Sequence, residues 1–509
     1  MGVFMHLFNS AREYHEKTKY SFDDVKSIYQ EYVVDKKINS VKTYQGKTFI
    51  KFPDDFPSQP QNLIESYQIS ATFNQFFRMN GEKISIEKLT QLLFLTNGVS
   101  QIKEYANKKI YFRTSPSAGA LYPIEIYLIV NKVDNLEKGL YYFNPIENGL
   151  YQLAKKDFSK QINEVTFHQK VFERVPLILL FTYIYQRNFW KYKERAFRYA
   201  LLDAGYLLEN LALAAASLDL KANIIGDFID IDINMLLKLD SEDEVTVMMA
   251  GVGNSSNVLD EDEYEFGMLL PEDDYIGRKH RNLIKGIYQN SSHYRPGDGL
   301  TNVNVKLPFS KKPPQLQSQF ELISLPNVRK KIEKTTQEVI GHRRSCHNFL
   351  RVAIAAEELS TFLYYLKSTP VLYNFPAYQT YLVVSEVENL ANGIYRYYSQ
   401  NHQLEYLKRG TFRGDISYLT QAQDAVFNCS VSFFFSVDFE VINLFSNRGY
   451  RYAHLNVGML SENIYLTATA LGLGARGIGN YFDDNINQFF MVQAPHEHIL
   501  GGVIVGVPG

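Results

Sequence analysis

Cysteine and net charge are the scarcest features of this 509-residue chain. Its two cysteines, Cys346 and Cys429, are too few for a disulfide framework or a cysteine-based zinc site, which favours a reducing cytoplasm. The net charge of -2 leaves no basic footprint for nucleic acid. No apolar run reaches the roughly 18 residues that span a bilayer, and the first residues lack the apolar stretch of a signal peptide, so we expect neither a membrane span nor secretion.

Tryptophan is also scarce, although the other aromatic residues are abundant. The chain has 36 tyrosines and 35 phenylalanines against 1 tryptophan, a balance that fits large apolar cores and a planar ligand equally well. With 45% hydrophobic and 21% charged residues, the composition is typical of a globular protein. Because a domain usually has about 100 to 200 residues, the length predicts two to four domains.

The most distinctive local motif is the stretch Thr-Ser-Pro-Ser-Ala-Gly-Ala-Leu-Tyr-Pro at residues 114–123. It leads into Ile124–Val130, an apolar and β-branched run that predicts a buried strand. Pro116 fixes φ, Ser117 offers a hydroxyl, and the small residues Ala118–Ala120 allow the backbone to approach a flat partner closely. An ordinary turn into a core strand explains the same residues.

The chain contains an internal repeat. A helix is predicted over Ala196–Ser217, because this segment is apolar almost all round, as in a buried helix. The same helix recurs from Tyr450 onward at a constant offset of 253 residues, and the register continues to Gly253 and Gly506. The residues of the first helix that recur are Arg198, Tyr199, Ala200, Leu202, Gly205, Leu207, Glu209 and Asn210. The chain is therefore predicted to hold two copies of one domain.

The repeat divides the chain into four predicted segments. Residues 1–60 form an N-terminal extension, residues 61–253 the first domain, residues 254–338 a linker and residues 339–509 the second domain. In the first domain, apolar residues at helical spacing after Ser85 predict a helix that this serine caps. The linker is long enough to cross one domain and bring the second copy to the first.

The second copy begins with a basic motif that the first copy lacks. Arg343 and Arg344 are followed by Ser345 and, soon after, by a predicted helix. Guanidinium groups match phosphate oxygens bidentately, so the motif predicts a phosphate site, although a solvated basic turn is an equally simple explanation. The corresponding residues 70–76 of the first copy include no arginine.

The first copy, by contrast, keeps the small-residue loop that the second copy has lost. At an offset of 254 residues the loop proline recurs as Pro370, but Ser117 is replaced by Val371 and Gly119 by Tyr373. Each copy therefore retains a different part of one possible binding site.

Taken together, these motifs resemble the nitroreductase superfamily and, within it, the SagB-type dehydrogenases. The resemblance rests on the Arg-Arg-Ser motif, the loop at 114–123, the Arg-Tyr-Ala-Leu-Leu-Asp-Ala-Gly start of the repeated helix and the segment around Tyr14. It covers most of both copies and excludes the linker. It implies an α+β fold in which two nitroreductase-like α/β/α domains, fused in tandem, form an intramolecular pseudo-dimer with FMN at the two-fold interface.

The resemblance further implies one composite FMN site rather than two. Its predicted cofactor-binding residues are Arg343, Arg344, Ser345 and His347, Pro116, Ser117, Ala118 and Gly119, and Gly477, Ile478, Gly479 and Asn480. His347 departs from the basic residue usual in the family, which would weaken phosphate binding and make it depend on pH. The glycines near 477 are equally compatible with an ordinary loop. The opposite site, which pairs residues 70–74 with residues 370–374, is expected to be degenerate.

The same resemblance suggests where a catalytic base would lie. In SagB-type enzymes the base is a tyrosine within a Lys-Tyr or similar pair, and the pairs on the repeated helix here are Arg198-Tyr199 and Arg451-Tyr452. The arginine charge would lower the pKa of the adjacent tyrosine, although tyrosines on buried helices commonly serve packing alone. Tyr199 is preferred because its copy keeps the loop, and Tyr122 is a further candidate on the substrate side.

Two other motifs are not assigned a function. Residues 472–477 match the dinucleotide pattern G-x-G-x-x-G but follow a helix rather than a strand, so no Rossmann site is expected. His496 and His498 have no further ligand nearby in the sequence, so no metal site is predicted.

Three functions remain open at the level of the sequence. The first is a flavin-dependent dehydrogenase that oxidises an azoline ring of a peptide or natural product to an azole. The second is an NAD(P)H-dependent reductase of nitro compounds or quinones, and the third is a degenerate scaffold that binds flavin or a partner without turnover. The expected partner is a small molecule or a peptide, without nucleic acid or membrane, and the sequence leaves further association of the pseudo-dimer open.

Overall fold

The structure is a computed structural model of the chain. It describes residues 11–23, 41–53, 55–74, 77–105, 108–167, 172, 174–255, 257–258, 267–271, 287–289, 291–292, 300–304, 321–327, 329–372, 378–492 and 496–509. The acidic run at 260–265 of the predicted linker and its Pro-Gly-Asp-Gly turn lie outside these residues.

Helices and strands alternate in both copies. The helices are α1 (residues 11–17), α2 (Leu63–Ser70), α3 (Ile86–Asn97), α4 (Ser159–Val165), α5 (Gln186–Tyr192), α6 (Ala196–Ser217), α7 (Asp230–Leu236), α8 (Thr336–His342), α9 (Ala356–Tyr365), α10 (Arg413–Leu419), α11 (Asp424–Asn428), α12 (Phe439–Ile442), α13 (Gly449–Leu471) and α14 (Asp483–Phe489). The strands are β1 (Thr48–Lys51), β2 (Phe77–Arg78), β3 (Val99–Tyr105), β4 (Lys108–Arg113), β5 (Ile124–Val130), β6 (Gly139–Asn144), β7 (Gly149–Ala154), β8 (Leu177–Ile184), β9 (Lys221–Ile225), β10 (Glu244–Gly253), β11 (Asn257–Val258), β12 (Gly267–Pro271), β13 (Leu300–Asn304), β14 (Leu322–Ser324), β15 (Phe349–Leu350), β16 (Tyr378–Val384), β17 (Gly393–Tyr398), β18 (Gln403–Arg409), β19 (Val431–Asp438), β20 (Gly474–Ile478) and β21 (Glu497–Pro508).

The two copies have antiparallel sheets of matching topology. The strand order is β1-β7-β6-β5-β8-β10-β9 in the first copy and β14-β18-β17-β16-β19-β21 in the second, where β15 and β20 also pair with β21. The predicted strand β5 is confirmed and is buried along its whole length. Its alternate side chains face two different cores, because Leu128 packs towards α6 whereas Ile129 packs towards α4 and α7. Helices thus cover both faces of the sheet, and the predicted α+β pair of domains is confirmed.

The centre of the molecule is the crossing of α6 and α13. All residues of α6 are buried, and α6 begins and ends where the sequence predicts. At the crossing, a Cβ on Gly205 would overlap the carbonyl oxygen of Leu455, and a Cβ on Gly458 would overlap that of Leu202. The exchange is reciprocal at the repeat offset, so the two copies pack around a pseudo-two-fold axis. Among the helices in the described ranges, none combines the length and apolar character needed to cross a membrane.

Part of the predicted linker repeats the N-terminal extension. Strand β14 pairs with β18 as β1 pairs with β7. Thr18 and Ser291 each hydrogen-bond the corresponding arginine of the repeated helix, Arg198 and Arg451, at 2.9 and 2.8 Å. Strand β14 and Ser291 therefore contact the protein as β1 and Thr18 do, so part of the segment predicted as a linker packs on the domains.

Candidate active site

A cavity of about 570 Å³ lies between the two copies. The first copy contributes the 114–123 loop, the β3–β4 hairpin, α5 and α6, and the second contributes the residues that follow α8, together with α13 and β20. The predicted site residues that line it are Pro116, Ser117, Ala118, Gly119, Tyr122, Tyr199, Arg343, Arg344, Ser345, His347, Gly477, Gly479 and Asn480. Segments that are more than two hundred residues apart in the chain are thus brought to one cavity.

The loop takes its shape from a carboxyl group that sequence reasoning left without a role. Ser117 Oγ donates to Asp203 Oδ2 at 2.6 Å, and the amide of Ala118 donates to Asp203 Oδ1 at 3.1 Å. Asp203 lies on α6 and is 2% exposed. Burial raises its pKa to about 7, although the hydrogen bonds from Ser117 and Ala118 oppose this shift. The only signal in the sequence was an acidic residue on the apolar face of a buried helix.

Gly119 lets two other unassigned side chains approach the loop. Its φ is 66°, in the left-handed region, and a Cβ there would stand 2.7 Å from Lys191 Nζ and 2.8 Å from Tyr192 Oη. Both residues line the cavity from the end of α5. They are an adjacent Lys-Tyr pair that lies just before the repeated helix rather than on it. Burial lowers the pKa of Lys191.

Tyr199 lines the cavity, but its environment differs from the one predicted. Its hydroxyl lies 3.1 Å from the carbonyl oxygen of Gly479 and also hydrogen-bonds Asn480 Oδ1. Its ring packs 4.3 Å from that of Tyr192. Burial raises the pKa of Tyr199 well above its ordinary value, and the arginine that opposes this shift is Arg195. The expected lowering of this pKa by Arg198 is therefore wrong.

Arg198, Tyr452 and Ile478 were predicted site residues, but they do not line the cavity. Arg198 is buried, forms an ion pair with Asp483 of the second copy at 2.8 Å and hydrogen-bonds Thr18 of the N-terminal extension. It therefore fastens the extension to the second copy. Ile478 is buried in the apolar core of the second copy. For these two residues the predicted roles are replaced by structural ones.

Tyr452 occupies the pseudo-symmetric position of Tyr199. Its hydroxyl donates to Asp227 Oδ1 at 2.7 Å, and a Cβ on Gly226 would overlap its ring, as a Cβ on Gly479 would overlap that of Tyr199. Tyr452 therefore belongs to the opposite side of the pseudo-dimer. Tyr373, one of the replacements behind the prediction of a degenerate opposite site, lies outside the described residues, and that prediction stays untested.

Tyr122 is held firmly on the cavity wall. Its hydroxyl accepts a hydrogen bond from the Arg113 amide at 3.1 Å, and its carbonyl oxygen accepts one from Arg187 at 2.9 Å. The guanidinium of Arg113 stacks 4.6 Å from the centre of its ring. These contacts suit a wall residue better than a proton-transfer group.

The second copy supplies the basic end of the cavity. Arg343 is 3% exposed and donates to the carbonyl oxygens of Thr114, at 2.8 Å, and Arg113, at 3.0 Å, so it also ties the two copies together. Arg344 donates to the carbonyl oxygen of Ser100 at 2.8 Å and to Gln101 Oε1 at 3.1 Å, both on the hairpin. The hairpin was not predicted, and it holds one of the two predicted phosphate arginines.

His347 has a basic neighbour that the sequence motif does not reveal. Its Nδ1 lies 3.3 Å from a guanidinium nitrogen of Arg476, on β20. Burial, followed by the charges of Arg476 and Lys103, lowers the pKa of His347. This shift favours the neutral imidazole, and Arg476 and Lys103, which also line the cavity, add their positive charge to that of Arg343 and Arg344.

The discarded dinucleotide motif has a structural explanation. Gly472 caps the end of α13 in the left-handed conformation, with φ 79°. The later part of the motif forms β20, whose Gly477 amide donates to Tyr465 Oη at 2.6 Å. The order is helix, turn and strand, so the pattern is not a Rossmann turn.

Comparison with known proteins identifies the family. The model of the nitroreductase family matches residues 80–254 and 340–507. The protein named "Putative nitroreductase MJ1384" from Methanocaldococcus jannaschii is 30% identical over 156 residues, which are 31% of this chain and 75% of that protein. The microcin B17-processing protein McbC of Escherichia coli is 26% identical over 163 residues, 31% of this chain and 58% of McbC.

A solved structure matches both copies at once. The crystal structure named "a putative nitroreductase" from Anabaena variabilis aligns with this chain with a TM-score of 0.79 and 24% identity. The alignment covers 98% of this chain and 99% of that one, so the tandem architecture is shared along the whole length. The two domains, their common topology and the two matches to the family model together show that this chain belongs to the nitroreductase family of oxidoreductases.

Proposed function

We propose that the chain is an FMN-dependent oxidoreductase of the SagB type, which oxidises an azoline ring of a peptide or natural product to an azole. The observation that carries the proposal is the single cavity at which the loop of the first copy, the arginines of the second and the Lys191-Tyr192 pair meet. The similarity to McbC, a microcin B17-processing protein, favours a peptide among the possible substrates.

The residues of the cavity fit FMN on two grounds. At the loop end, a Cβ on Gly119 would meet Lys191 Nζ and Tyr192 Oη, and its small neighbours leave backbone exposed to a flat ring. At the other end, Arg343 and Arg344 from one segment join Arg476 from another, a donor set suited to phosphate. FMN bound between these ends would accept the hydride equivalent from the substrate, and dioxygen would then reoxidise the reduced FMN.

The chain itself would handle the proton. Oxidation of an azoline removes a carbon-bound proton and a hydride equivalent, so a base must stand beside the acceptor. Lys191 is suited to this role because burial lowers the pKa of its ammonium group and increases the neutral, proton-accepting fraction. Tyr192 shares the approach to Gly119 and would orient the substrate through its hydroxyl. We therefore propose Lys191, next to Tyr192, as the catalytic base in place of Tyr199.

The visible spectrum of the purified chain tests the cofactor. One FMN per chain is expected, and R343A/R344A should release it, whereas S70A, at the pseudo-symmetric position, should not. A colourless protein without a thermal shift on addition of FMN would instead favour the scaffold function, since a site saturated at 100 times its Kd stabilises a protein by about 2.7 kcal/mol. Two FMN per chain would contradict the single composite site.

Mass spectrometry tests the reaction. The FMN-loaded chain, incubated with an azoline-containing peptide in air, should produce a peptide lighter by two hydrogen atoms. K191M and Y192F should lower the rate by 10²-fold or more while the bound FMN remains. An unchanged peptide mass with FMN bound and oxygen present would argue against the proposal.

The relationship to MJ1384 keeps a second function in view, the NAD(P)H-dependent reduction of nitro compounds or quinones. The positive charges of Lys103 and Arg476, which line the cavity, suit an anionic reductant. Stopped-flow mixing with NADPH distinguishes the two functions, because rapid bleaching of the bound FMN would favour the reductase and a persistent oxidised spectrum would remove it.

A further inference from the structure

The carboxyl group of Asp203 is one of two equivalent anchors for the loops of the two copies. At the repeat offset Asp203 corresponds to Asn456, and Asn456 Oδ1 accepts a hydrogen bond from the Leu372 amide at 2.7 Å. Asp203 Oδ1 accepts the same bond from the Ala118 amide. An amide side chain is therefore enough to anchor this loop, and the ionisable group of the first copy is not needed for that purpose.

The difference between the copies concerns a hydroxyl group. Ser117 donates to Asp203 Oδ2 and accepts a hydrogen bond from the Tyr122 amide at 2.9 Å, whereas the second copy has Val371 in place of the serine. A carboxyl and a hydroxyl group thus lie together on the copy that keeps the loop. Asp203 also lines the cavity itself.

We propose that Asp203 is a positioning residue whose proton sets the hydrogen-bonding polarity that Ser117 presents to the bound cofactor; this inference rests on the proposed FMN site. When Asp203 is ionised, the hydroxyl hydrogen of Ser117 is directed at the carboxylate, and Ser117 offers the cavity a lone pair. When Asp203 is protonated, its own O–H donates to Ser117, and the serine hydrogen becomes free to donate into the cavity.

The surroundings of Asp203 make this exchange of a proton accessible near neutral pH. Its hydrogen-bond partners, Ser117 and the Ala118 amide, are neutral, and burial is the largest influence on its pKa. The titratable and charged groups that face it or share its cavity are Tyr122 from the loop, Lys191 and Tyr192 from α5, Tyr199 and Tyr206 from α6, Tyr183 from β8, Lys103 from β3, and Arg343, Arg344, His347, Tyr465 and Arg476 from the second copy. Burial favours the protonated carboxyl, whereas the hydrogen bonds from Ser117 and the Ala118 amide favour the ionised one.

The test uses the full chain with FMN bound and records the absorbance spectrum and midpoint potential of the flavin between pH 5.5 and 9. In the wild type we expect a one-proton step near pH 7. D203N should bind FMN without the step and keep the low-pH spectrum throughout, because the amide NH₂ donates to Ser117 permanently. S117A should also lack the step, and N456D, the matched change in the other copy, should retain it. A step that persists in D203N, or no step in the wild type, would overturn the proposal.

Failure to bind FMN would overturn the proposed function instead. The titration of Asp203 can then be measured in the flavin-free chain. The thermal midpoint of D203N relative to the wild type should rise between pH 4 and pH 7, because the wild type alone loses stability as the unfolded carboxyl ionises. A shift in pKa of three units corresponds to about a thousandfold in the folding equilibrium. Parallel pH dependence of both proteins would overturn the inference.

Discussion

At the scale of single residues, the left-handed φ of Gly119 places the loop against the Lys-Tyr pair. We predict that G119A weakens FMN binding at least tenfold, because the methyl group would displace Lys191 Nζ and Tyr192 Oη and strain the backbone by roughly 1–2 kcal/mol. Flavin titration followed by fluorescence measures the effect. G414A, in the short helix α10, has open space around its Cβ and should leave binding unchanged.

A second prediction at this scale concerns Glu462, a buried carboxyl beneath the cavity. Burial raises its pKa to about 8, although Arg343, whose Nε lies 3.9 Å away, opposes the shift. Because the pKa of Glu462 is higher in the folded than in the unfolded state, its protonation stabilises the folded chain. This contribution to the free energy of unfolding is complete below about pH 4.5 and is lost as the pH rises towards 8. E462Q should therefore gain on the wild type by on the order of 4 kcal/mol over that range, as measured by urea unfolding. The exposed substitution E242Q should follow the wild type.

The residues that the sequence revealed and those that it concealed differ in a physical respect. The loop at 116–119 and Arg343 stand out in the sequence because the other copy has lost their counterparts. Lys191 and Asp203 were missed because their significance comes from burial and from neighbours far along the chain. Sequence spacing does not report either quantity.

At the scale of elements, the N-terminal helix α1 is fastened to both copies through Asp483. This carboxylate pairs with Arg195 at 2.6 Å and with Arg198 at 2.8 Å, and both arginines also bond the segment that follows α1. D483N should destabilise the chain by about 3–5 kcal/mol, because two buried guanidinium groups lose their counter-ion. It should also make residues 11–20 susceptible to limited proteolysis.

The adjacent Asp484 provides the control for this prediction. It pairs with Lys19 at 2.7 Å, but its side chain is 77% exposed. D484N should therefore change the free energy of unfolding by less than about 1 kcal/mol. Equal effects of the two substitutions would contradict the assignment of the buried ion pairs as the fastening.

Elements with a strong local signal were predicted well. Helix α6 has the predicted bounds, and α3 begins after the predicted cap, where Ser85 Oγ accepts from the Lys88 amide at 3.2 Å. The β3–β4 hairpin was missed because its side chains follow no buried alternation that would mark it. The docked residues 287–289 and 291–292 were missed because their resemblance to the extension appears only in their contacts.

At the scale of the whole molecule, the α6–α13 crossing determines whether the two parts of the cavity meet. G458V should release FMN although Gly458 does not line the cavity, because a side chain there would overlap the backbone carbonyl of Leu202, a residue of the cavity wall. Analytical flavin binding and limited proteolysis would detect the separation of the copies. G414V, on a surface helix, serves as the matched control. Retention of FMN by G458V would contradict the prediction that the crossing brings the two parts of the cavity together.

The covalent connection between the copies predicts a distinctive response to dilution. Both parts of the cavity belong to one chain, so their effective concentration does not depend on the protein concentration. The fraction of chain that holds FMN should stay constant from micromolar to nanomolar protein when free FMN is kept fixed. A loss of flavin on dilution of the protein would mean that a second chain completes the site.

The packing of two copies within one chain, at the reciprocal glycines, also affects which substitutions the chain can accumulate. In a dimer of identical subunits each substitution is installed in both active sites, so a change that benefits one function is imposed on every copy of the site. In this chain the position of Asp203 holds an aspartate on one side of the axis and an asparagine on the other. A fused chain can therefore carry different residues at its two pseudo-equivalent positions, which a dimer of identical subunits cannot do.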